Sequence, residues 1–599
     1  MTDFSRQSND CRLFLCRHKP RAGLRLLPLA AAIAGALAFG CAGAAYAQAT
    51  PTPAQTIDEG LRRQEERARE LQQQVQPKSD VLQPQAPTAV STTLPVEQPC
   101  FPIKNVELQG TDALRFFWLA DAAAPYLGQC AGVAGLRQIA AALDARLIEL
   151  GYVTSKVTLP QQNLQTGALM VHLHVGRVAK IGMVAADPQK SPDTAWGTWR
   201  NAFPVSAGDI LNVRDLEQGV EQMKRLPSQN VATELAPGAQ PDTSDVTILR
   251  KSGTLGERLR GGVTIDNSGS RQLGPTQFSS YLSLDNPLGL NDIASLSVNS
   301  NAENPAGNHR SQSASFNYSI PWGYNTFSFS ASHSRYAQVV QGTTVQFLSS
   351  GTSQNAELKW HRTLVRTGAA KFGAYAAVST RRANSFLDDV ELIVQRRRTT
   401  NLETGITYKQ LFGDASLDVE LGYRQGMPWQ NAQDDLPTAS SGGLTLRPHL
   451  TTLSASVSLP FKIGSQPVQY QASLRAQHTR DLSLSVDQIA IGNRYSVRGF
   501  DGDSVLLAES GYYLRNEFST PLKLGEGIDS VAYVGIDAGR VWGPSTAFLL
   551  GDRLAGAAIG VRGQWRRLQF DFAIGAPLDK PEGFRTRRWN PYLSLTYAF

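Results

Sequence analysis

The chain has 599 residues, too many for one ordinary domain, and only 18% of them are charged, with 52 glycines and a mean hydropathy of −0.24. Beyond residue 50 no run of 18 apolar residues occurs, which excludes a bundle of spanning helices and leaves a closed barrel as the way for this part of the chain to cross a membrane. Of the net charge of +7, the first 47 residues carry six basic and two acidic side chains; the remainder is near +3 and gives a nucleic-acid partner no support.

Residues 1–47 read as a signal peptide: a basic segment (Arg12, Arg17, Lys19, Arg21, Arg25), an apolar stretch from Leu26 to Phe39, and the small-residue site Ala45-Tyr46-Ala47. The other reading, an uncleaved anchor, rests on the absence of charge from Leu26 to Ala47. Residues 48–76 contain a predicted helix opened by the capping box Thr56 to Glu59. Its apolar stripe (Ile57, Leu61, Ala68, Leu71, Val75) is narrow and the rest is charged or Gln-rich, which suits a polar cavity or a solvated surface. Pro77 stops it. Residues 77–99 form a Pro-rich linker that, fully extended, spans roughly 80 Å.

Two small α/β modules follow, over 100–177 and 178–252. The first reads as strand (Ile103–Leu108), helices (Leu114–Leu127 and Ala134–Leu150) and strands (Val153–Leu159 and Ala168–Val175); the second as strand (Val178–Val184), helix (Asn212–Arg225) and strands (Val231–Leu235 and Ser244–Arg250). Three of the five cysteines lie in residues 1–47; the remaining pair, Cys100 and Cys130, reads as one disulfide in an oxidising compartment, against two unpaired thiols.

Residues 253–599 change character. Alternating segments recur between Gly, Asn, Asp and Ser clusters, starting near 257, 276, 291, 310, 324, 352, 370, 398, 414, 447 and 465, then near 511, 530, 553, 567 and 590. Sixteen strands predict a transmembrane antiparallel β-barrel. In the last strand Leu593, Leu595, Tyr597 and Phe599 share one face; in the one before, Leu568, Phe570, Phe572 and Ile574 face lipid and Gln569, Asp571 and Ala573 the lumen. The C-terminal Phe599 resembles the end of outer-membrane strands generally, which implies outer-membrane lipid and a barrel-assembly machinery as partners.

The gap 479–510 is long enough to be functional. It contains Arg494-Tyr495-Ser496-Val497-Arg498-Gly499-Phe500, which resembles the VRG[FY] motif of the barrel superfamily that carries POTRA domains. The resemblance implies that this loop folds into the barrel and that Arg498 meets an acidic wall residue. Asp537 is the candidate, because it shares lumenal parity with Tyr533 and Gly535 while Val534 and Ile536 face lipid. Asp571, Glu517 and Arg515 read as scattered lumenal charges.

Cys100-Phe101-Pro102-Ile103, Gly151 to Val157, Leu159-Pro160-Gln161-Gln162, Leu211 to Glu217 and Arg225-Leu226-Pro227-Ser228 resemble the two POTRA domains of two-partner secretion transporters, the haemolysin-activator family. That resemblance implies a channel that captures a large unfolded exoprotein (adhesin, haemolysin or toxin) in the periplasm and secretes it, with the helix at 56–75 as a pore plug. An insertase of the same superfamily is the alternative. No G-x-S-x-G, H-E-x-x-H or paired-Cys spacing points to an enzyme, a metal or a cofactor.

Overall fold

The computed structural model describes residues 91–186, 196–341 and 345–599. The expected signal peptide, the helix bearing Thr56, Glu59, Leu61 and Leu71, and the linker up to residue 90 lie outside these residues. From Ser91 onward the linker is docked rather than free. Tyr126 Oη donates to the Ser91 carbonyl (2.8 Å) and the Leu94 amide to Gln129 Oε1 (2.9 Å). Glu97 accepts from the amides of Ala134 and Gly135, both at 2.8 Å. Those amides open a helix whose N-cap, Gly132, has no side chain to satisfy them.

The first module contains β1 (Asn105–Gln109), α1 (Val133–Glu149), β2 (Lys156–Thr158) and β3 (Ala168–His174), with β3 central, parallel to β1 and antiparallel to β2. Alternation on β3 turns Leu169, Val171 and Leu173 onto Ile139, Leu143 and Leu147 of α1. The segment expected as an α-helix over Leu114–Leu127 is instead wound as 3-10 turns over Ala113–Tyr126, with non-helical backbone at Phe116 and Pro125 inside. Proline removes an amide and crowds the preceding turn, so an α-helical ladder is not completed there. A disulfide joins Cys100 to Cys130 (Cα–Cα 5.3 Å) and fixes the entering chain beside the start of α1.

The second module repeats the topology with β4 (Arg177–Ala185), α2 (Val213–Lys224), β5 (Gln229–Pro237) and β6 (Thr243–Ser252), ordered β4-β6-β5. Asn212 caps α2 by accepting from the Arg214 amide (2.9 Å).

Sixteen strands then close into a barrel. Eleven precede the long loop: β7 (Leu259–Asp266), β8 (Gln277–Asp285), β9 (Ile293–Asn301), β10 (Arg310–Trp322), β11 (Asn325–Gln341), β12 (Gln346–Arg366), β13 (Ala370–Leu387), β14 (Arg397–Phe412), β15 (Ala415–Met427), β16 (His449–Ile463) and β17 (Gln466–His478). Five follow it: β18 (Ser510–Pro521), β19 (Ile528–Trp542), β20 (Arg553–Trp565), β21 (Leu568–Asp579) and β22 (Asn590–Ala598). All neighbours pair antiparallel, and β22 returns to β7 with Leu595 opposite Ile265 and Tyr597 opposite Val263. Phe599 extends that seam: its amide donates to Gly261 O (2.9 Å) and its carbonyl accepts from Gly261 N (3.0 Å). The Phe599 ring lies where a side chain at Gly261 would stand, so the glycine lets the ring lie over the seam. Outward positions are apolar and exposed, as at Ile265, Val534, Ile536, Phe572 and Ile574, whereas their neighbours Tyr533, Asp537 and Ala573 are buried.

The second module is seated on the barrel mouth. Arg366, at the end of β12, donates to Gln218 Oε1 (2.9 Å) and Glu221 Oε2 (2.8 Å) of α2, and Lys371 reaches Glu221 Oε1 at 2.8 Å. Asn201 donates to the carbonyls of Leu290 (2.6 Å) and Pro321 (2.9 Å), and Arg225 to Ser319 Oγ (2.6 Å). Tyr324, in the turn between β10 and β11, donates to Asp215. Burial, above all, holds the Asp215 carboxyl higher than the ordinary carboxylate value, and the Tyr324 hydrogen bond opposes that shift. A carboxyl with a raised folded pKa lends stability that is complete below its unfolded value and is lost as pH rises through its folded one. Stability of the α2 seat, followed as amide-exchange protection corrected for intrinsic rates, is therefore expected to fall as pH rises across that window. Asp215→Asn, which still offers Tyr324 an oxygen, is expected to level the profile.

Candidate functional site

The loop between β17 and β18 turns into the barrel and builds a small core of its own. Its two short strands, Ile489–Ile491 and Leu506–Ala508, pair antiparallel. Val497, Phe500, Ile491 and Leu506 pack against Val541 and Leu554 of the wall and Phe584 of a neighbouring loop. The Phe500 and Phe584 rings meet edge to face at 5.7 Å. These contacts set the position of the polar tip.

At that tip Arg498 reaches the wall. Nε donates to Asp537 Oδ2 (2.7 Å) and Nη2 to Oδ1 (2.8 Å), the bidentate fork expected of a guanidinium on a carboxylate. The Arg498 amide donates to the same Oδ2 at 3.0 Å. Asp537 is wholly buried and Arg498 is 5% exposed, so neither charge is left to water. Nη1 of Arg498 donates to Glu517 Oε2 (2.6 Å), and the other oxygen of Glu517 accepts from Arg562. Two cations thus face two carboxylates: Arg498, Asp537 and Glu517 are buried, and Arg562 balances the charge from a more exposed position.

Glycines make the approach possible. A Cβ at Gly535 would stand 2.3 Å from Arg498 Nη2, and one at Gly556 would stand 1.9 Å from the Arg498 carbonyl oxygen. Gly499 itself has φ +107, in the region that favours glycine. Its amide donates to Tyr592 Oη (2.8 Å), Tyr592 Oη donates to Phe500 O (2.9 Å), and Asn590 Nδ2 donates to Gly499 O (2.6 Å).

Val497, Arg498, Gly499, Phe500 and Asp537 therefore stand together. Glu517, read from the sequence as one lumenal charge among several, is part of the same cluster. The signal was available: Glu517 precedes the apolar Phe518 on a strand with clear alternation, two places from Arg515, which is directly opposite Asp537. Arg515 donates to the Tyr495 carbonyl (3.3 Å), and Asp571 accepts from Tyr533 Oη (2.7 Å). Tyr592, Asn590 and Arg562 were not found by sequence reasoning. Phe599 and the Cys100–Cys130 pair lie elsewhere, in the barrel seam and the first module.

A sealed barrel with an apolar outer wall, an inward loop anchored in its lumen and two α/β modules at one mouth define a POTRA-bearing outer-membrane transporter. Comparison with known proteins gives the family. The model described as haemolysin secretion/activation protein ShlB/FhaC/HecB matches residues 242–563, the ShlB-type POTRA domain matches 101–176 and a further POTRA domain matches 180–237. The chain is 37% identical over 543 residues to "Outer membrane transporter CdiB-2" of Burkholderia pseudomallei (strain 1026b), covering 87% of this chain and 90% of that protein. It is 28% identical over 470 residues to "Hemolysin transporter protein ShlB" of Serratia marcescens, covering 78% and 80%. The solved structure of CdiB from Escherichia coli superposes with a TM-score of 0.77 at 27% identity, over 92% of this chain and 100% of that one. The chain belongs to the haemolysin secretion/activation protein family, and it is a protein-secreting channel of the outer membrane with its two modules in the periplasm.

Arg498→Ala leaves two carboxylates buried with one cation, and loss of one partner from such a set costs about 3–5 kcal/mol. The variant is expected to expose the 479–510 loop to protease while the barrel keeps its heat-modifiable electrophoretic mobility. Arg498→Lys is expected to restore little, because an ammonium does not reproduce the fork on Asp537.

Proposed function

We propose that this channel carries one large exoprotein of the adhesin, haemolysin or toxin class, threaded unfolded from periplasm to cell surface. The inward loop is the element that must yield for passage, and the Arg498–Asp537–Glu517 cluster is the observation that carries this reading. With Arg562 the set is neutral as a whole and holds the loop firmly, yet Arg498 alone is on the loop, so its bonds to Asp537 and Glu517 are broken together when the loop withdraws. The edge strand β5 of the second periplasmic module supplies a backbone edge of the kind that recruits an extended segment by β-augmentation. The predicted helix at 56–75 acts as the resting plug, its polar faces matched to a polar lumen. Phe599 serves as the signal for the barrel-assembly machinery, and outer-membrane lipid surrounds the wall. Folding of the cargo outside supplies a driving force with no nucleotide site required.

Secretion of an exoprotein encoded beside this gene tests the cargo and the loop together. Arg498→Ala is expected to reduce its surface delivery, and undiminished delivery would remove the loop from the mechanism. Deleting residues 56–75 is expected to raise single-channel conductance in planar bilayers; an unchanged conductance rejects the plug.

A further inference from the structure

The outer wall holds a groove that the secretion pathway does not use. It has a volume of about 490 Å³ and crosses β10 to β13. Small residues form its floor: Ala314, Ala331, Ala356 and Thr380. Leu296 and Phe316 close one side, and His333, Gln354 and Arg382 line the upper rim. The register explains the depression. Phe316, Ala331, Ala356 and Thr380 lie in one row across four strands, and Ala314, His333, Gln354 and Arg382 in the next. In the first row the small side chains Ala331, Ala356 and Thr380, beside the bulky Phe316, leave a hollow two strand spacings across, about 10 Å.

The rim lies at a defined depth. His333 stands about ten residues above the periplasmic turn at Gly323, and Arg382 about thirteen above the turn before Ala370. With strands tilted about 40° these are heights of roughly 25 and 33 Å. The apolar band of such a barrel is about 25 Å tall. The hollow is therefore level with the acyl chains of the outer leaflet and its rim with their headgroups.

Charge identifies the occupant. Arg382 is directly opposite Arg398 of β14, and both side chains are exposed on the outward face. Like charges in that position repel unless an anion lies between them. Neither side chain forms an ion pair among the described residues. Arg335 and His333 add basic groups on β11, and the outward positions of β9 to β14 contain no Asp or Glu.

We propose that this wall is a binding site for a phosphorylated, multiply acylated glycolipid of the outer leaflet. A phosphate bridges Arg382 and Arg398, and acyl chains lie side by side over Ala331 and Ala356. The paired guanidiniums and the level of the rim fit a lipid of the outer leaflet with more than one anionic headgroup better than a phospholipid with a single phosphate.

The test uses the full-length protein, titrated with lipid A and read by native mass spectrometry as lipid retained per chain. Heat-modifiable mobility reports that each variant is folded. Lipid A is expected to bind, and the Arg382→Gln/Arg398→Gln double variant to retain it about tenfold less, the loss that follows from removing charge-assisted contacts to one phosphate. Ala331→Leu/Ala356→Leu is expected to weaken retention several-fold by filling the hollow. Phosphate-free lipid A is expected to match the loss in the arginine variant. Equal retention by either double variant, or by the phosphate-free lipid, overturns the site. Displacement by an equal concentration of phosphatidylglycerol overturns the glycolipid assignment. If the arginine double variant fails to fold, Arg382→Gln alone and the phosphate-free lipid decide.

Discussion

Between β22 and β7, Leu595 and Tyr597 exchange backbone hydrogen bonds with Ile265 and Val263, and Phe599 completes the seam on Gly261. An open sheet of sixteen strands in lipid would expose two rows of unpaired amides and carbonyls, each costing several kcal/mol. Closing the seam removes both rows. It also creates an interior shielded from lipid, where polar side chains are tolerated and a long loop can be stored. The periplasmic modules, the inward loop and the outer groove are all positioned by the cylinder that this seam closes.

Storing the loop poses a second problem, because its tip carries a guanidinium. The molecule resolves it by composition as well as by pairing. Asp537 and Glu517 supply the opposing charge, and Arg562 brings the total back to neutral. Gly535 and Gly556 lower the wall so that the tip reaches its partners. Hydrophobic packing by Val497 and Phe500 fixes where the tip stands, and the ionic cluster fixes which way it points. Neither would define the loop alone, since apolar contact has no direction and a buried ion pair contributes little net stability.

Much of this was legible in the sequence because strand periodicity is strict. Lumenal and lipid faces differ at every second residue, so Asp537 announces itself among Val534, Ile536 and Ala538, and the sixteen segment starts fall close to the observed strands. The largest disagreement is at β12, expected near 352 and begun at Gln346, because the extension above the membrane needs no apolar face. The apolar spacing over Ala113–Tyr126 fits an α-helix or 3-10 turns equally, and it does not show the break at Phe116; Pro125 accounts only for the last turn. Contacts between distant segments were not legible. Nothing in Arg366 or Gln218 by itself says that they meet 148 residues apart, and the outer groove depends on three small residues, Ala331, Ala356 and Thr380, falling into register on three different strands.

The seat of the second module has a mechanical consequence. It is bolted to several points of the barrel rim, through Asn201 ahead of its helix and through Gln218, Glu221 and Arg225 on the helix and its C-cap. The first module is joined to the second just as closely, through Arg177 to Asp112 at 2.6 Å and the Val213 amide to Gly151 O at 2.8 Å. A polypeptide tugging on the outermost edge strand therefore pulls on a stiff lever rather than a slack leash. The torque arrives at the rim of the cylinder, on β10 to β13, the same strands whose outer surface carries the basic hollow.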